Sequence, residues 1–253
     1  MVTGAELLSK YPKRRLCLPR AYREIYDEHY RDNRCANTRA SRGSRWMERW
    51  MHKKVSEPAM ENNWTTLEIG AGTLNQLSYE SPSGSYDIVE PYSSLYEASP
   101  YLGQVRHIYK DINDIDSPNK YGRITSIAVL EHILNLPGVV ARSALLLKNN
   151  GIFQAAIPSE GTWLWTLGTM YTGREFRKRY GLDYRVLMDY EHVNDAAEIE
   201  EVLEFFFKKI RCRVFGLAKS ISFYRYYECS LPDAEKAQQY ITGSNPVNPI
   251  NSH

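Results

Sequence analysis

From Trp64 onward the apolar positions fall in short runs, each closed by glycine, proline or a charged residue. WTTLEIGAG, SYDIVEP, VRHIYKD and RITSIAVLEH predict four strands. LPGVVARSALLLKNNG has an amphipathic pattern and predicts a helix stopped by Asn149, Asn150 and Gly151; GIFQAAIP predicts a fifth strand after it. Segments such as SSLYEASPYL read as short helices or turns. AAEIEEVLEFFFKKI predicts a further amphipathic helix, and RCRVFGLAKSISFYRYYECS predicts two strands joined near Ala218-Lys219. Strands alternating with helical patterns imply parallel pairing in a doubly wound α/β sheet.

Both ends depart from this repeat. Residues 1–62 predict a basic helical extension, with one helix near Pro19 to Arg31 and a second in SRWMERWMHKKV. In the second, Trp46 and Trp50, and likewise Met47 and Met51, share a helix face at i, i+4 spacing, which suits packing on the domain. The domain itself is expected over residues 63–232. Within it residues 160–194, aromatic and charged, predict a helical insertion over the ligand edge of the sheet. Residues 233–253 predict a C-terminal helix and then a flexible tail from about residue 241.

A chain of 253 residues, 43% hydrophobic, suits one α/β domain with elaborations. No run approaches the roughly 18 apolar residues of a membrane span. The opening residues lack the apolar segment of a secretory signal, so a cytoplasmic location is expected. Cys17, Cys35, Cys212 and Cys229 form no CxxC pair and no metal-ligand spacing with histidine; reduced thiols and no metal site are expected. Net charge is +2, but residues 1–54 hold fourteen Lys/Arg against six Asp/Glu, and the remainder eighteen against twenty-four. A basic arm of this kind can touch phosphates, yet its arginines alternate with tryptophans and tyrosines, which favours a packed, solvated face and disfavours nucleic acid as a partner.

The chemistry concentrates at LEIGAGT, residues 67–73, where a strand runs into a turn through Gly70 and Gly72. Ligands of open α/β sheets bind at the carboxyl ends of strands. A dinucleotide fingerprint would need glycine at position 75, where this chain has Asn75, so NAD or FAD falls to second place. Glu90 ends the second strand eighteen residues after Gly72, where an acid can accept hydrogen bonds from ribose hydroxyls.

Taken in order, LEIGAGT, DIVEP, YKDI, SIAVLEHI and GIFQAAIPSEG resemble the motifs of class I, Rossmann-like, S-adenosylmethionine-dependent methyltransferases over roughly Asn63 to Ile157. EGTWLW, REFRKRYGLDY and EHVN resemble the bacterial members that methylate sugars in surface-glycan pathways. The resemblance implies a seven-stranded, mostly parallel sheet with an antiparallel last strand, and S-adenosylmethionine as cofactor. It further implies that Glu68, Gly70 and Gly72 line the methionine end, Glu90 takes the ribose, Asp111 and Ile112 the adenine, and that Ala128 and Leu130 flank the sulfonium. One departure is Leu74, where many members carry a third glycine.

The expected reaction is methyl transfer to a small-molecule or sugar acceptor at a hydroxyl, which needs a base because its pKa is far above neutrality. Candidates are His192, His132 and Glu160, with His192 preferred because the insertion should shape the acceptor pocket. His132 can equally orient a helix, His192 can tie the insertion to the core, and Glu160 can stabilise a helix N-terminus. The stretch AVLEH after the fourth strand lacks the Pro-Pro-aromatic sequence of enzymes acting on base amines. Trp163, Trp165, Tyr171, Tyr180 and Tyr184 can stack on an acceptor or form a small lid core. An RNA methyltransferase using the basic arm and a non-catalytic nucleotide-binding module are the competing readings; a homodimer is compatible with all three.

Overall fold

A computed structural model describes residues 4–26, 39–57, 63–80, 84–118 and 120–243. Seven strands make one sheet: β1 (Thr66–Ile69), β2 (Tyr86–Val89), β3 (Val105–Tyr109), β4 (Tyr121–Ile127), β5 (Leu147–Pro158), β6 (Phe207–Ala218) and β7 (Ile221–Pro232). Their order is β3-β2-β1-β4-β5-β7-β6. Only β7 runs against the others, pairing antiparallel with both β5 and β6. The predicted sheet and its antiparallel last strand are therefore present. At the carboxyl edge Ile69 of β1 lies between Val89 of β2 and Ser126 of β4. The reversal of strand order on either side of β1 opens a crevice there, the position where open α/β sheets bind ligands.

The helices are α1 (Gly4–Leu8), α2 (residues 20–26), α3 (Arg39–Ser56), α4 (Ser93–Tyr96), α5 (Leu136–Leu146), α6 (Trp163–Tyr180), α7 (Tyr184–Glu191), α8 (Ala196–Phe206) and α9 (Ala234–Ile241). Between β1 and β4 the crossovers shrink to short 3₁₀ turns and the single turn of α4. Leu67, Ile69, Ile124, Phe153 and Ile157 of the strands meet Val140, Ile199, Leu203 and Phe206 of α5 and α8 in the main core. On the opposite face α3 lays Met51 and Val55 on Ala156, Tyr224 and Tyr226, and Trp50 against Phe215. The paired spacing of Met47 and Met51 is thus a packing face, as read from the sequence. Trp46, 63% exposed, meets Phe215 edge-on.

Two predicted boundaries move. α5 ends at Leu146 rather than at Asn149, Asn150 and Gly151. Leu147 is buried in the core and pairs with Tyr121, so burial pulls the chain into β5 before the helix-stop signal is reached. Likewise FKKI belongs to β6, because Phe207 stacks on Phe153 in the core. The expected helix from Pro19 is present over residues 20–26, while its continuation to Arg31, Cys35 and the tail beyond 243 lie outside the described residues. Cys17, Cys212 and Cys229 are free thiols.

Beside the main core stands a second one. Leu18 and Tyr22 from the N-terminal segment pack on Phe176 of α6 and Leu187 of α7, with Tyr26, Tyr180 and Tyr184 around them. The N-terminal segment and the helices of the insertion are therefore one small body over the sheet. Gly181, at φ 72°, ends α6 and lets the chain turn into α7; Asp183 caps α7 by accepting from the Arg185 N–H.

Candidate active site

The glycine turn is built from left-handed backbone. Gly70 (φ 70°) and Gly72 (φ 52°) are left-handed, and a Cβ on Gly70 would lie 2.5 Å from Val129 Cγ2. Only glycine allows the turn after β1 to come this close to the end of β4. Leu74, which stands where a third glycine is usual in the resembling family, also adopts φ 65°. Its side chain is fully buried among Ala71, Leu77 and Ile88, and that packing holds an unfavourable conformation in place. Ala128, directly after β4, is left-handed as well, at φ 53°. Strain of this kind gathers where a ligand must approach the backbone.

Glu90 closes the other side of the crevice. It is 5% exposed, and its Oε2 accepts the Gly72 N–H at 2.9 Å while Oε1 accepts the Tyr92 N–H at 3.0 Å. The acid at the end of β2 thus faces the glycine turn. Asp111, exposed beyond β3, accepts from the Asn113 backbone and side chain through Oδ1. Ile112 packs in the main core, as does the Leu130 side chain. Glu68 is 3% exposed and accepts the Tyr86 hydroxyl at 2.9 Å. Burial, opposed by that hydrogen bond, pushes its carboxyl up to about 8. It belongs to a buried polar layer on the α3 side of the sheet. There Arg123 donates to Glu80 Oε2 at 2.7 Å and to the Val55 carbonyl, and Gln76 meets His52 at 2.8 Å.

Farther along the same edge, beyond β4 and β5, the two candidate histidines come together with their rings 4.9 Å apart and edge-to-face. His132 Nδ1 lies 2.8 Å from the Glu191 carbonyl, which only accepts, so this nitrogen carries the proton. His192 Nδ1 lies 2.7 Å from Glu160 Oε2 and likewise donates. His192 therefore keeps Nε2 for another partner, whereas His132 Nε2 faces Glu131 Oε1 at 3.9 Å. Burial lowers the His192 pKa, but the Glu160 hydrogen bond and the charges of Glu131 and Glu191 outweigh it and hold it above the usual imidazole value. Trp165 stacks on His192 at 6.3 Å and meets Tyr224 edge-on. Tyr184 faces Glu191 and Glu160, and burial together with those charges pushes its hydroxyl up to about 12.

Asn194 is what brings the two histidines together. Its Nδ2 donates to the carbonyls of Leu130 (2.9 Å) and Ile133 (2.7 Å), while the Val193 and Asn194 N–H groups both donate to the Glu131 carbonyl. The turn bearing Glu131 and His132 is thus sewn to the chain bearing His192. The N-terminal segment joins in: Arg15 donates to the His132 carbonyl, Lys13 to the Val193 carbonyl, and the Tyr26 hydroxyl to Glu191 Oε1. Sequence reading singled out EHVN, with Glu191 beside His192 among the candidate polar groups, and missed the roles of Asn194 and Tyr26. Trp163 and Tyr171 are exposed, whereas Tyr180 and Tyr184 belong to the lid core. Among the described residues no group of three or more His, Cys, Asp or Glu is arranged to hold a metal ion.

The fold has solved counterparts. An O-methyltransferase family protein from Burkholderia thailandensis superposes with a TM-score of 0.55 at 15% identity, over 86% of this chain and 64% of that one. The fold is that of the class I methyltransferases. The plantazolicin methyltransferase BpumL, solved in complex with a monoazolic desmethylPZN analog and SAH, matches at 0.54 and 12% identity, over 83% of this chain and 93% of its own. The CurJ carbon methyltransferase matches at 0.51 and 19% identity over 72% of this chain. This chain spans about half (54%) of that structure's length. No family model and no curated protein sequence matches this chain.

Proposed function

We propose that the protein transfers a methyl group from S-adenosylmethionine to a hydroxyl of a small molecule or sugar, with His192 as the base. The observation that carries this reading is the Glu160–His192 pair, 2.7 Å apart at the edge of the crevice formed by Gly70, Gly72 and Glu90. The residues present fit the cofactor: left-handed glycines beside β4, a buried carboxylate facing them, and an exposed Asp111 after β3. When bound, the cofactor supplies a methyl group already activated on a sulfonium.

The chain's own groups would then do the rest. Glu90 would accept from ribose hydroxyls and Asp111 from the adenine amine; Ala128 and the Leu130 backbone would border the sulfonium. His192 Nε2 would take the acceptor's proton as its oxygen bonds to the methyl carbon. Glu160 keeps the His192 proton on Nδ1 and stabilises the imidazolium that forms, which a neutral carbonyl does less well. This favours His192 over His132, whose hydrogen-bond partner is the Glu191 carbonyl and whose carboxylate neighbours stand farther off, Glu191 Oε2 at 3.7 Å and Glu131 Oε1 at 3.9 Å. Trp165 would stack against the acceptor's apolar face. The sugar acceptor rests on the resemblance of EGTWLW, REFRKRYGLDY and EHVN.

A panel of hydroxylated and amino acceptors, sugars included, incubated with methyl-labelled S-adenosylmethionine tests the reading. Label is expected on an oxygen with the wild-type chain and is lost with His192→Ala. Label on nitrogen alone, or label untouched by the substitution, would overturn it.

A further inference from the structure

We propose that α6 docks the protein on an anionic membrane surface. Helical geometry turns about 100° per residue, so positions 163, 167, 170, 171, 174, 177 and 178 fall within a sector of about 120°. The first four are Trp163, Leu167, Met170 and Tyr171, which are 65%, 42%, 47% and 54% exposed. The last three are Arg174, Arg177 and Lys178, all exposed. One face of a single helix therefore runs from an apolar, aromatic half into a cationic end. The opposite face carries Trp165 and Phe176, which pack inward on Tyr224 and on the lid core.

An apolar stripe alone would suit many partners. Its continuation into three cations selects one whose apolar layer lies next to anionic groups, as in a bilayer with acidic headgroups. Tryptophan and tyrosine favour that boundary because their rings are amphipathic. Asp183 tempers the charge only in part, at 3.8 Å from Arg177. Among the described residues no helix is long and apolar enough to cross a membrane, so the contact is with its surface. Trp165 stacks on His192 from the inward side of the same helix turns, which sets the acceptor site about one helix diameter, roughly 10 Å, behind the docking face.

Sedimentation of the full chain with vesicles tests this, independently of methyl transfer. Vesicles of phosphatidylcholine mixed with phosphatidylglycerol should carry the protein down, and phosphatidylcholine alone should not. Combining Arg174→Ala, Arg177→Ala and Lys178→Ala should weaken partition about a hundred-fold, from the usual contribution of each cation. Combining Trp163→Ser, Leu167→Ser and Met170→Ser should abolish it with the melting temperature unchanged. A wild-type chain left in the supernatant with both vesicles overturns the proposal, as does equal binding to neutral ones. A dimer dissolved by the serine variant, without vesicle binding, would make the stripe a face between two copies instead.

Discussion

The Glu160 carboxylate accepts a hydrogen bond from His192 Nδ1 at 2.7 Å, and Nε2 takes no part in that bond. The pair joins the loop after β5 to the residue following α7, so the proposed base depends on both the insertion and the sheet. His192→Ala should lower kcat by about 10²–10⁴-fold, the usual worth of a positioned base. Affinity for S-adenosylhomocysteine should not change, because His192 is not among the residues proposed to hold the cofactor. Turnover equal to wild type would remove His192 from the reaction.

The pH profile follows from the raised His192 pKa. The ring works as a base only when neutral, so activity should climb with pH through an apparent pKa above the usual 6.5 of imidazole. Glu160→Gln preserves an acceptor for Nδ1 but removes the charge. The acid limb should then move to lower pH and kcat should fall. The stability sign is opposite: the imidazolium–carboxylate pair stabilises the fold below the ordinary imidazole pKa and is lost as pH rises through the raised one. An acid limb that stays in place would show that Glu160 does not set the basicity of His192.

Glu68 gives a second linkage. Its carboxyl is raised from 4.5 to about 8, so folding takes up a proton in that window and stability falls as pH rises through it. Glu68→Gln should erase the slope. Melting temperatures of wild type and variant should therefore separate progressively between about pH 5 and pH 8, with the variant the more stable at the upper end. Parallel curves would contradict a neutral Glu68.

Asn194→Ala removes two hydrogen bonds to buried carbonyls and should cost about 1–3 kcal/mol of stability, read from denaturant unfolding. Because the same bonds hold the His132 turn against His192, kcat should drop with little change in cofactor affinity. Full activity in a destabilised variant would confine Asn194 to the fold.

Much of the architecture was legible from period alone. β1, β2 and β4 are short apolar runs closed by turn residues, and Gly70, Gly72 and Glu90 mark the expected ligand edge by residue type and spacing. The errors lie where long-range burial overrides a local signal. Leu147 and Phe207 enter the core as strand residues despite helix-like surroundings. Position 74 requires a left-handed backbone that leucine does not advertise. The clamp made by Asn194 reaches carbonyls more than sixty residues away, and Tyr26 reaches Glu191 across 165. Such pairings are made by the folded sheet, and no window of sequence contains both ends.

Titration calorimetry of the purified chain with S-adenosylmethionine, S-adenosylhomocysteine and NAD tests the central reading most directly. Micromolar binding of the first two and none of NAD is expected, and Glu90→Ala should weaken it by about 1.5–3 kcal/mol, the worth of hydrogen bonds to a charged group. Binding of NAD alone, or no binding of either sulfur ligand by the folded chain, would contradict it.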